Sequence, residues 1–447
     1  MMEFILQLSV VFGCLLLGAR RGGLALGLFS GIGIVVLVFV FKLPPGKPPV
    51  DVMLTIIAVV VASATLQASG GLEVMLQGAE RLLRRNPKYV TVLAPFTTCG
   101  LTIACGTGHV VYTVLPIIYD VAIKNGVRPE RPIAGAMIAS QMGIIASPVS
   151  VATASLVAFL SGASLGKGQL DFYTVLSITV PATLIGVLMV GILSWSRGAD
   201  LADDKEFQAL AADPDGYKHI YGDNVTLMGR SLPMRQWIAM YIFIGGVIVM
   251  SMLGSMETLR PVINGKPMSM VHTIQMLMLF AGALIILTTS VKPALIAMDE
   301  IFHAGMVAVV TVFGIAWMSS TVFDANLKGM ELGLVDLVKD QPWFYAVALL
   351  IVSMLVNSQA ATISALVPVA LSLGLPTGYI IAFAAAGYGY FILPTYPSYL
   401  AAVQFDRSGT TRIGKYVLNH SFIVPGSVGV STSCAAGYLL ASMYGLL

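Results

Sequence analysis

Two short polar segments interrupt long apolar stretches of this 447-residue chain. The first is CGTGH at 105–109 and the second is NSQAAT at 357–362. Two other apolar stretches contain proline breaks, ASPVS at 146–150 and LPTYPS at 393–398. In a bilayer, backbone that leaves the helix must be satisfied by protein or by a water-filled cavity. These four breaks are therefore the places where polar chemistry is expected.

Helices that restart at such breaks point free N–H groups and positive dipole ends at whatever lies between them, which favours an anion. Hydroxyl and amide side chains at the breaks add donors. For each Ser or Thr, the alternative is a hydrogen bond to its own helix backbone, and for His109 the alternative is simple packing. The residues predicted to bind substrate are Gly106, Thr107, Gly108, His109, Ser147, Pro148, Ser150, Asn357, Ser358, Gln359, Thr395, Tyr396 and Ser398.

Charged side chains are scarce near these breaks. His109 is the only potentially basic residue beside one of them, and no Arg or Lys is predicted near the bilayer centre. Neutral donors suit a site that must release its ligand, because deep charges are costly in a membrane. Two donor sets, one from each half of the chain, suit a small dianion with a carboxylate at each end.

Several landmarks repeat at nearly constant distance along the chain. Pro116 and Pro368 are 252 positions apart, Pro87 and Pro342 are 255 apart, and Pro148 and Pro397 are 249 apart. Broken apolar segments at matching places in two halves are typical of secondary transporters built from internal repeats. A transporter with two repeats is the resulting interpretation.

The composition excludes a soluble globular protein, with 57% hydrophobic and 11% charged residues and a mean hydropathy of +0.87. Apolar runs of about 18 residues or more are long enough to cross a bilayer as helices. The ten predicted spans are 4–19, 22–42, 52–72, 132–162, 172–195, 236–254, 268–289, 301–323, 376–405 and 416–446.

The distribution of Lys and Arg predicts the orientation, because cytoplasmic loops carry the excess of these residues. Basic residues at both ends of 89–123 place both ends inside, so this segment is predicted to enter and return as a re-entrant hairpin. The predicted path puts 18 of the 25 Lys and Arg residues inside and 7 outside. Both termini are then periplasmic. The second hairpin, 343–374, follows an acidic loop at 324–341 and is entered from outside.

These elements predict an all-α polytopic membrane protein with two inverted repeats, each with five transmembrane helices and one re-entrant hairpin. An odd number of spans in each half inverts the second copy. The first repeat is 1–195, with hairpin 89–123 and broken helix 132–162. Residues 196–235 are a cytoplasmic linker, for which a regulatory docking role is the alternative. The second repeat is 236–447, with hairpin 343–374 and broken helix 376–405.

Other residues suggest structural roles. Arg84, Arg85, Arg128 and Arg131 are predicted topology anchors, with a secondary role in collecting dianions at a cytoplasmic mouth. The four cysteines lack paired spacing, so packing is favoured over a disulfide or metal site, and no cofactor or metal is predicted. The glycines at 23, 27 and 31 favour close helix packing within the subunit over a dimer face. A homodimer is nevertheless the expected assembly.

Several motifs together resemble a known family. They are LLRRNPKY (82–89), CGTGHVVYTVLPIIYDVAIKN (105–125), ASPVS (146–150), NSQAA (357–361) and ILPTYPS…AAVQFDRSGTTRIGK (392–415). These segments resemble the anaerobic four-carbon dicarboxylate carriers, the Dcu family, over essentially the whole chain. The GHVVYT and NSQAA variants resemble its DcuB branch more than its DcuA branch. Tyr399 departs from the pattern, where a more polar residue is expected.

The resemblance implies a multi-pass protein of the bacterial inner membrane that takes up fumarate, malate or aspartate in exchange for succinate during anaerobic fumarate respiration. It also implies the ion-transporter superfamily architecture, whose related members work as elevators, and a membrane sensor kinase as a partner. The expected partners are small dicarboxylates and the lipid bilayer, without nucleic acid.

The competing hypotheses are a dicarboxylate-binding co-sensor of a membrane histidine kinase and an ion-coupled symporter. An intramembrane enzyme is disfavoured because no HExxH motif and no pair of intramembrane aspartates is apparent.

Overall fold

The computed structural model describes residues 2–21, 24–161, 172–222, 226, 228–263, 265–330, 341–393, 396–414 and 419–447. Within these ranges the chain is overwhelmingly helical, with one small antiparallel ribbon. Strand β1 (Val262–Ile263) pairs with β2 (Lys266–Pro267), and Ile263 lies opposite Lys266.

The described part of the first half contains nine α-helices. Short 3₁₀ turns at Pro87–Tyr89 and Gly108–Val110 precede two of them. The helices are α1 (Met2–Arg21), α2 (Ala25–Val35, continued by a π-helical turn at Val36–Val40), α3 (Val50–Ala68), α4 (Gly71–Arg85), α5 (Val90–Cys105), α6 (Val111–Lys124), α7 (Glu130–Met142), α8 (Val151–Ser161) and α9 (Phe172–Trp195).

Two short helices, α10 (Lys205–Ala212) and α11 (Pro214–Tyr221), lie in the connector between the halves. Further 3₁₀ turns occur at Glu257–Leu259 and Ala384–Gly387. The second half contains α12 (Met234–Ser255), α13 (Met270–Thr289), α14 (Pro293–Ala297), α15 (Glu300–Met330), α16 (Trp343–Val356), α17 (Gln359–Ser372), α18 (Thr377–Ala382), α19 (Pro397–Phe405) and α20 (Ile423–Met443).

Seven helices of the described residues are long and apolar enough to cross a membrane. They are Val50–Ala68, Pro87–Cys105, Phe172–Trp195, Met234–Gly254, Met270–Thr289, Ile301–Val322 and Ile423–Met443. Five of the ten predicted spans coincide closely with one of these helices, and the last predicted span, 416–446, overlaps Ile423–Met443. The first two predicted spans correspond to α1 and α2. The other two are the broken helices.

Helix α4 shows why an amphipathic segment precedes the first hairpin. Leu72, Leu76, Ala79 and Leu83 follow helical spacing and are buried, so they form one apolar stripe. Arg81 and Arg85 are exposed on the opposite side. The buried stripe packs α4 against α6 and α12, and thereby anchors the base of the first hairpin.

Each hairpin packs against helices of the other half of the chain. Helix α6, the second limb of the first hairpin, packs against α19 in the second half. Helix α17, the second limb of the second hairpin, packs against α8 in the first half. Each hairpin therefore lies against the broken helix of the other half, and polar groups from both halves can meet.

Two predicted boundaries are corrected. The last predicted span starts at 416, whereas α20 starts at Ile423, because Ile413 and His420 form a β-bridge in the preceding segment. The predicted acidic loop at 324–341 is helical in its first part, since α15 continues to Met330, and residues 324–328 include no Gly or Pro that would end the helix. The residues 331–340 lie outside the described residues.

Candidate functional site

The first hairpin turns at a glycine that no other residue could replace without strain. Helix α5 ends at Cys105, and Gly106 adopts φ +79° in the left-handed region. A Cβ at position 106 would overlap the carbonyl oxygen of Val149. The turn therefore requires glycine for its conformation and for its close approach to the broken helix of the first half.

The next two residues begin the second limb. Thr107 is extended, and its Oγ1 accepts a hydrogen bond of 3.3 Å from the backbone N–H of His109. Gly108 starts the 3₁₀ turn that leads into α6, and its carbonyl accepts a 2.7 Å hydrogen bond from Ser140 Oγ. A Cβ at Gly108 would lie 2.5 Å from Nε2 of Gln141, so the backbone passes directly over that amide.

The second hairpin turns in the same way with different residues. Helix α16 ends at Val356, and Asn357 is left-handed with φ +55°. Asn tolerates this region better than most non-glycine residues. Ser358 is extended, and its Oγ accepts a 3.3 Å hydrogen bond from the N–H of Ala361. Helix α17 then starts at Gln359.

The two tips therefore share one backbone pattern: a left-handed residue, an extended hydroxyl residue, and a new helical segment. Gly106 corresponds to Asn357, and 357 − 106 = 251 positions separate them. The prolines inside the second limbs, Pro116 and Pro368, are 252 positions apart. The predicted breaks at the tips are thus present, and the second is shorter than predicted because α17 already includes Gln359.

The other two breaks have different lengths. In the first half, α7 ends at Met142 and α8 starts at Val151, so the break covers the predicted Ala146–Ser150 and begins slightly earlier. In the second half, α18 ends at Ala382 and α19 starts at Pro397. This break begins well before the predicted Leu393, since the chain leaves the α-helix at Phe383.

A cavity of about 130 Å³ lies where these breaks meet. Four helix beginnings border it: the 3₁₀ turn entering α6 at Gly108, α8 at Val151, α17 at Gln359, and α19 through its N-cap residue Tyr396. The described lining residues are Gly106, Thr107, Gly108, His109, Gln141, Ile144, Val151, Ala152, Asn357, Ser358, Gln359, Ala360, Tyr390 and Tyr396.

The electrostatic character of this cavity comes from backbone and neutral side chains. Among the described lining residues there is no Asp, Glu, Lys or Arg. Each converging helix beginning carries a partial positive charge of roughly half an elementary charge, together with unsatisfied N–H groups. The cavity is therefore suited to an anion that is held without a fixed countercharge.

Gln141 and Tyr390 are site residues that the sequence reasoning missed. Tyr390 donates a 2.8 Å hydrogen bond to Oε1 of Gln141, and Gln359 Nε2 donates a 3.0 Å bond to the Gln141 carbonyl. Gln141 and Tyr390 are 390 − 141 = 249 positions apart, the same spacing as Pro148 and Pro397. Residues at this repeated spacing therefore contact each other, and the spacing was the signal that could have identified them.

Several buried amide atoms at the cavity have no hydrogen-bond partner within the described residues. They are Nε2 of Gln141, Oδ1 of Asn357 and Oε1 of Gln359. An unpaired buried polar atom costs roughly 1–3 kcal/mol. Nε2 of Gln141 is already a donor, and a 180° rotation of the Asn357 carboxamide exchanges its oxygen with its NH₂ group, so these two residues can present donors to a bound anion. Gln359 Nε2 remains bonded to the Gln141 carbonyl.

His109 lies between aromatic rings. Its imidazole stacks near Tyr112, with ring centroids 5.9 Å apart, and near Tyr396 at 6.3 Å. His109 also lines an adjoining cavity of about 100 Å³ that extends towards Ser63 of α3 and Gly305 of α15. The ring therefore stands at the junction of the two cavities, where it can both pack and contact a ligand.

The remaining predicted hydroxyls are engaged in structural bonds. Ser147 Oγ donates to the Ile103 carbonyl at 2.7 Å. Ser150 Oγ donates to the Ile144 carbonyl and accepts from the N–H of Thr153 at 3.1 Å.

Ser398 pairs with the Tyr112 hydroxyl at 2.7 Å. None of Ser147, Pro148, Ser150 and Ser398 is among the described lining residues, so they hold the breaks in place around the cavity. Thr395 lies outside the described residues.

The predicted mouth arginines are also engaged. Arg84 pairs with Asp120 at 2.8 Å and Glu80 at 2.7 Å, and Arg131 pairs with Asp200 at 2.7 Å.

Arg128 is buried and contacts Glu130 and Asp204, whereas Arg85 is exposed. The Arg84 pairings join α4 to α6, and the pairings of Arg128 and Arg131 join the start of α7 to the connector. The role of these arginines as topology anchors stays a prediction. The secondary role in collecting dianions stays a prediction.

The sequence matches one protein family over nearly its whole length. The family model described as anaerobic C4-dicarboxylate membrane transporter covers residues 3–445. The anaerobic C4-dicarboxylate transporter DcuB of Escherichia coli O6:H1 is 60% identical over 446 residues, which cover 100% of both chains. The C4-dicarboxylate transporter DcuA of Wolinella succinogenes is 36% identical, with 98% of this chain and 99% of the relative covered.

Solved transporter structures have the same overall arrangement at low sequence identity. MtrF of Neisseria gonorrhoeae, described as illuminating a class of antimetabolite efflux pumps, aligns with a TM-score of 0.57 at 12% identity, covering 93% of this chain and 84% of MtrF. The YdaH transporter of Alcanivorax borkumensis aligns with a TM-score of 0.55 at 16% identity, covering 88% and 85%. These similarities concern the fold.

Proposed function

The chain belongs to the anaerobic C4-dicarboxylate membrane transporter family, and we propose that it exchanges C4-dicarboxylates across the bacterial inner membrane. Fumarate, malate or aspartate enters and succinate leaves, during anaerobic fumarate respiration. Membership of this family indicates a membrane transporter rather than an enzyme. The two relatives described above carry names that specify C4-dicarboxylate transport.

The convergence of four helix beginnings on one cavity is the observation that carries this proposal. Two of them come from the first half, at Gly108 and Val151, and two come from the second, at Gln359 and Pro397. A dianion with carboxylates at both ends requires two separated sets of donors. Two donor sets, one from each half, match this requirement without a fixed positive side chain.

Neutral donors also suit a carrier. A buried guanidinium would hold a dicarboxylate strongly and slow its release, whereas N–H and amide groups bind it with moderate energy per contact. The unpartnered Nε2 of Gln141 is available for this purpose, and so is the NH₂ group of Asn357 after rotation of its carboxamide. The proposed site therefore consists of the two tips, Gln141, His109 and Tyr396.

We further propose that the two halves are inverted repeats and that both hairpins are re-entrant. The matching backbone at the two tips and the reciprocal packing of α6 on α19 and α17 on α8 support this arrangement. Helix Pro87–Cys105 is long enough by itself to cross a bilayer. Labelling from outside of a cysteine at the end of the first hairpin therefore distinguishes a re-entrant hairpin from a crossing helix. In this proposal, an elevator-like movement of the hairpin-containing core exposes the cavity to each side in turn.

Exchange is tested by labelled-fumarate uptake into proteoliposomes with and without internal succinate. Internal succinate should accelerate uptake strongly without an imposed ion gradient. Equal uptake into empty and loaded vesicles would contradict exchange, and stimulation only by a sodium or proton gradient would favour the ion-coupled symporter. Succinate binding without any flux would favour the co-sensor.

The orientation is tested by single cysteines in a cysteine-free background. Positions 125 and 215 are exposed and are predicted to be cytoplasmic, whereas Val262 is exposed on β1 and predicted to be periplasmic. A membrane-impermeant thiol reagent added to intact spheroplasts should label only position 262. Labelling of position 125 from outside would contradict the re-entrant first hairpin.

A further inference from the structure

A second polar cavity, of about 210 Å³, lies away from the hairpin tips. It is formed where the start of α7, the connector after α9 and the segment before α20 meet. Among its described lining residues, Arg128, Arg197 and Arg412 stand with one carboxylate, that of Glu130. His420 and Ser421 complete the polar part of the wall. The lining is therefore richer in positive charge than the cavity at the tips.

The three guanidinium groups are not equally neutralised. Arg128 contacts both Glu130, at 2.9 Å, and Asp204, and these partners raise its pKa although burial acts to lower it. Arg412 pairs with Glu206 at 3.0 Å, but both side chains are largely exposed. Solvent screening makes such an exposed pair weak.

Arg197 has the weakest compensation for its burial. Its Nη1 donates to the Ser421 carbonyl, and its Nη2 lies 3.6 Å from Oε1 of Glu130, an oxygen that also accepts a 2.7 Å hydrogen bond from Ser421 Oγ. Burial lowers the pKa of Arg197, and the nearby charge of Arg128 lowers it further, against the opposing effect of Glu130. An anion in the cavity would give Arg197 a closer negative charge than the shared carboxylate of Glu130.

His420 connects this cavity to the broken helix of the second half. Its Nδ1 accepts a 3.1 Å hydrogen bond from the N–H of Phe422, so Nε2 carries the proton and donates to the Ile392 carbonyl at 3.1 Å. Ile392 lies in the break between α18 and α19, four residues before Tyr396. His420 therefore links the wall of the arginine-lined cavity by a hydrogen bond to the segment that borders the cavity at the tips.

We propose that this arginine-lined cavity is a second anion site, which binds a small anion with several carboxylate or phosphate oxygens through Arg197 and Arg412. The inference rests on the proposed function in one respect: the charge distribution places this cavity on the cytoplasmic face, where dicarboxylates are released.

Binding stoichiometry separates the two sites. Isothermal titration calorimetry of the purified full-length protein should show two equivalents of succinate per chain. Asn357→Ala should weaken one equivalent, and Arg197→Gln or Arg412→Gln should weaken the other by about tenfold or more. Arg412 is largely exposed, so its substitution should leave folding intact. Arg81→Gln, an exposed arginine on α4, is the matched control and should retain both.

The single-variant outcomes test each proposal independently. If the parent binds one equivalent of succinate per chain and only Asn357→Ala loses it, the second site is overturned and the proposed function stands. If the parent binds one equivalent and only the arginine variants lose it, the second site is supported and the tip site is contradicted.

A titration with inorganic phosphate alone identifies the ligand source. Phosphate that binds the parent and Asn357→Ala equally, but not Arg412→Gln, assigns the site to phosphate-type anions. An arginine-dependent equivalent of succinate without phosphate binding assigns it to dicarboxylates. Absence of arginine-dependent binding for both anions would overturn the proposal.

Discussion

The tip between α5 and α6 and the tip between α16 and α17 follow the same backbone path but carry different side chains. The first is Gly106-Thr107-Gly108, and its glycines let backbone approach Val149 and Gln141 closely. The second is Asn357-Ser358-Gln359, and its amides reach into the cavity and to the Gln141 carbonyl. One tip therefore presents mainly backbone, and the other presents mainly side chains.

This difference indicates that the two tips, which share a backbone pattern, contribute to the cavity in different ways. A bare backbone tip must be placed accurately, because its N–H groups cannot move independently of the chain. An amide-bearing tip can adjust through side-chain rotation. We expect substitutions at the first tip to affect geometry and substitutions at the second to affect binding contacts, and the following predictions test that separation in order of decreasing effect.

The largest effect is expected for Gly106→Ala. The left-handed conformation costs a non-glycine residue roughly 1–3 kcal/mol, and the new Cβ would overlap backbone of Val149 that cannot rotate away. Labelled-fumarate exchange in proteoliposomes should fall by about a hundredfold or more. Gly100→Ala on α5, where a Cβ would meet nothing within 4 Å, is the control and should transport normally. If Gly106→Ala exchanges fumarate at the parental rate, the first tip does not have the proposed geometric role.

Asn357→Ala should reduce succinate affinity while leaving a folded protein. Losing a hydrogen bond to a charged group costs roughly 1.5–3 kcal/mol, or about ten- to a hundredfold in affinity. Asn357→Gly should lose the same affinity but keep the left-handed turn at lower cost, so calorimetry and thermal unfolding together separate contact from conformation. Unchanged affinity in both variants would show that the amide is not a ligand.

Tyr390→Phe should have a smaller effect, because it removes a neutral hydrogen bond that positions Gln141. Such bonds contribute roughly 0.5–1.5 kcal/mol, so succinate affinity should fall by about two- to tenfold. Tyr388→Phe is the matched control, since the Tyr388 hydroxyl bonds to that of Tyr399 and not to Gln141. Equal affinity losses in the two variants would argue against a specific link between the halves.

The smallest effects on exchange and stability are expected for substitutions of the hydroxyl residue that each tip contains, Thr107 in the first and Ser358 in the second. Thr107 and Ser358 each accept a 3.3 Å bond from a backbone N–H, so Thr107→Ser and Ser358→Thr should alter thermal stability and exchange very little. Thr107→Ala and Ser358→Ala should each lose about 1 kcal/mol of stability, the usual contribution of such a cap. Clearly unequal losses in thermal unfolding would show that the two tips are not equivalent.

The positions of the four breaks could be predicted because they depend on local chemistry. Gly106 and Asn357 tolerate left-handed backbone, and Pro148 and Pro397 cannot continue a helix from the preceding turn. These properties act within a few residues, so they are visible in the sequence. The extent of each break was less predictable. The second-half break starts at Phe383, in an apolar run without proline.

The donors themselves were only partly predictable. Ser147 and Ser398 have the residue type expected of a ligand, yet their hydroxyls bond to Ile103 and Tyr112. Gln141 lies inside the stretch that the sequence treats as a span, and its role depends on Tyr390 and Gln359 of the other half. A side chain's partner is decided by which helices pack together, and residue type does not contain that information.

By itself, the sequence determined the membrane class, the helical composition, the places where helices stop and the family to which the chain belongs. Hydrophobicity, proline and glycine act on the chain within a few residues, so they predict where helices form and stop. Family motifs are sequence patterns, so they can be recognised without the structure. Only the tertiary structure decided which hydroxyls face the cavity, that Gln141 meets Tyr390, and that Arg128, Arg197 and Arg412 enclose a second polar space. Those contacts join residues up to hundreds of positions apart, and they exist only once the helices have packed.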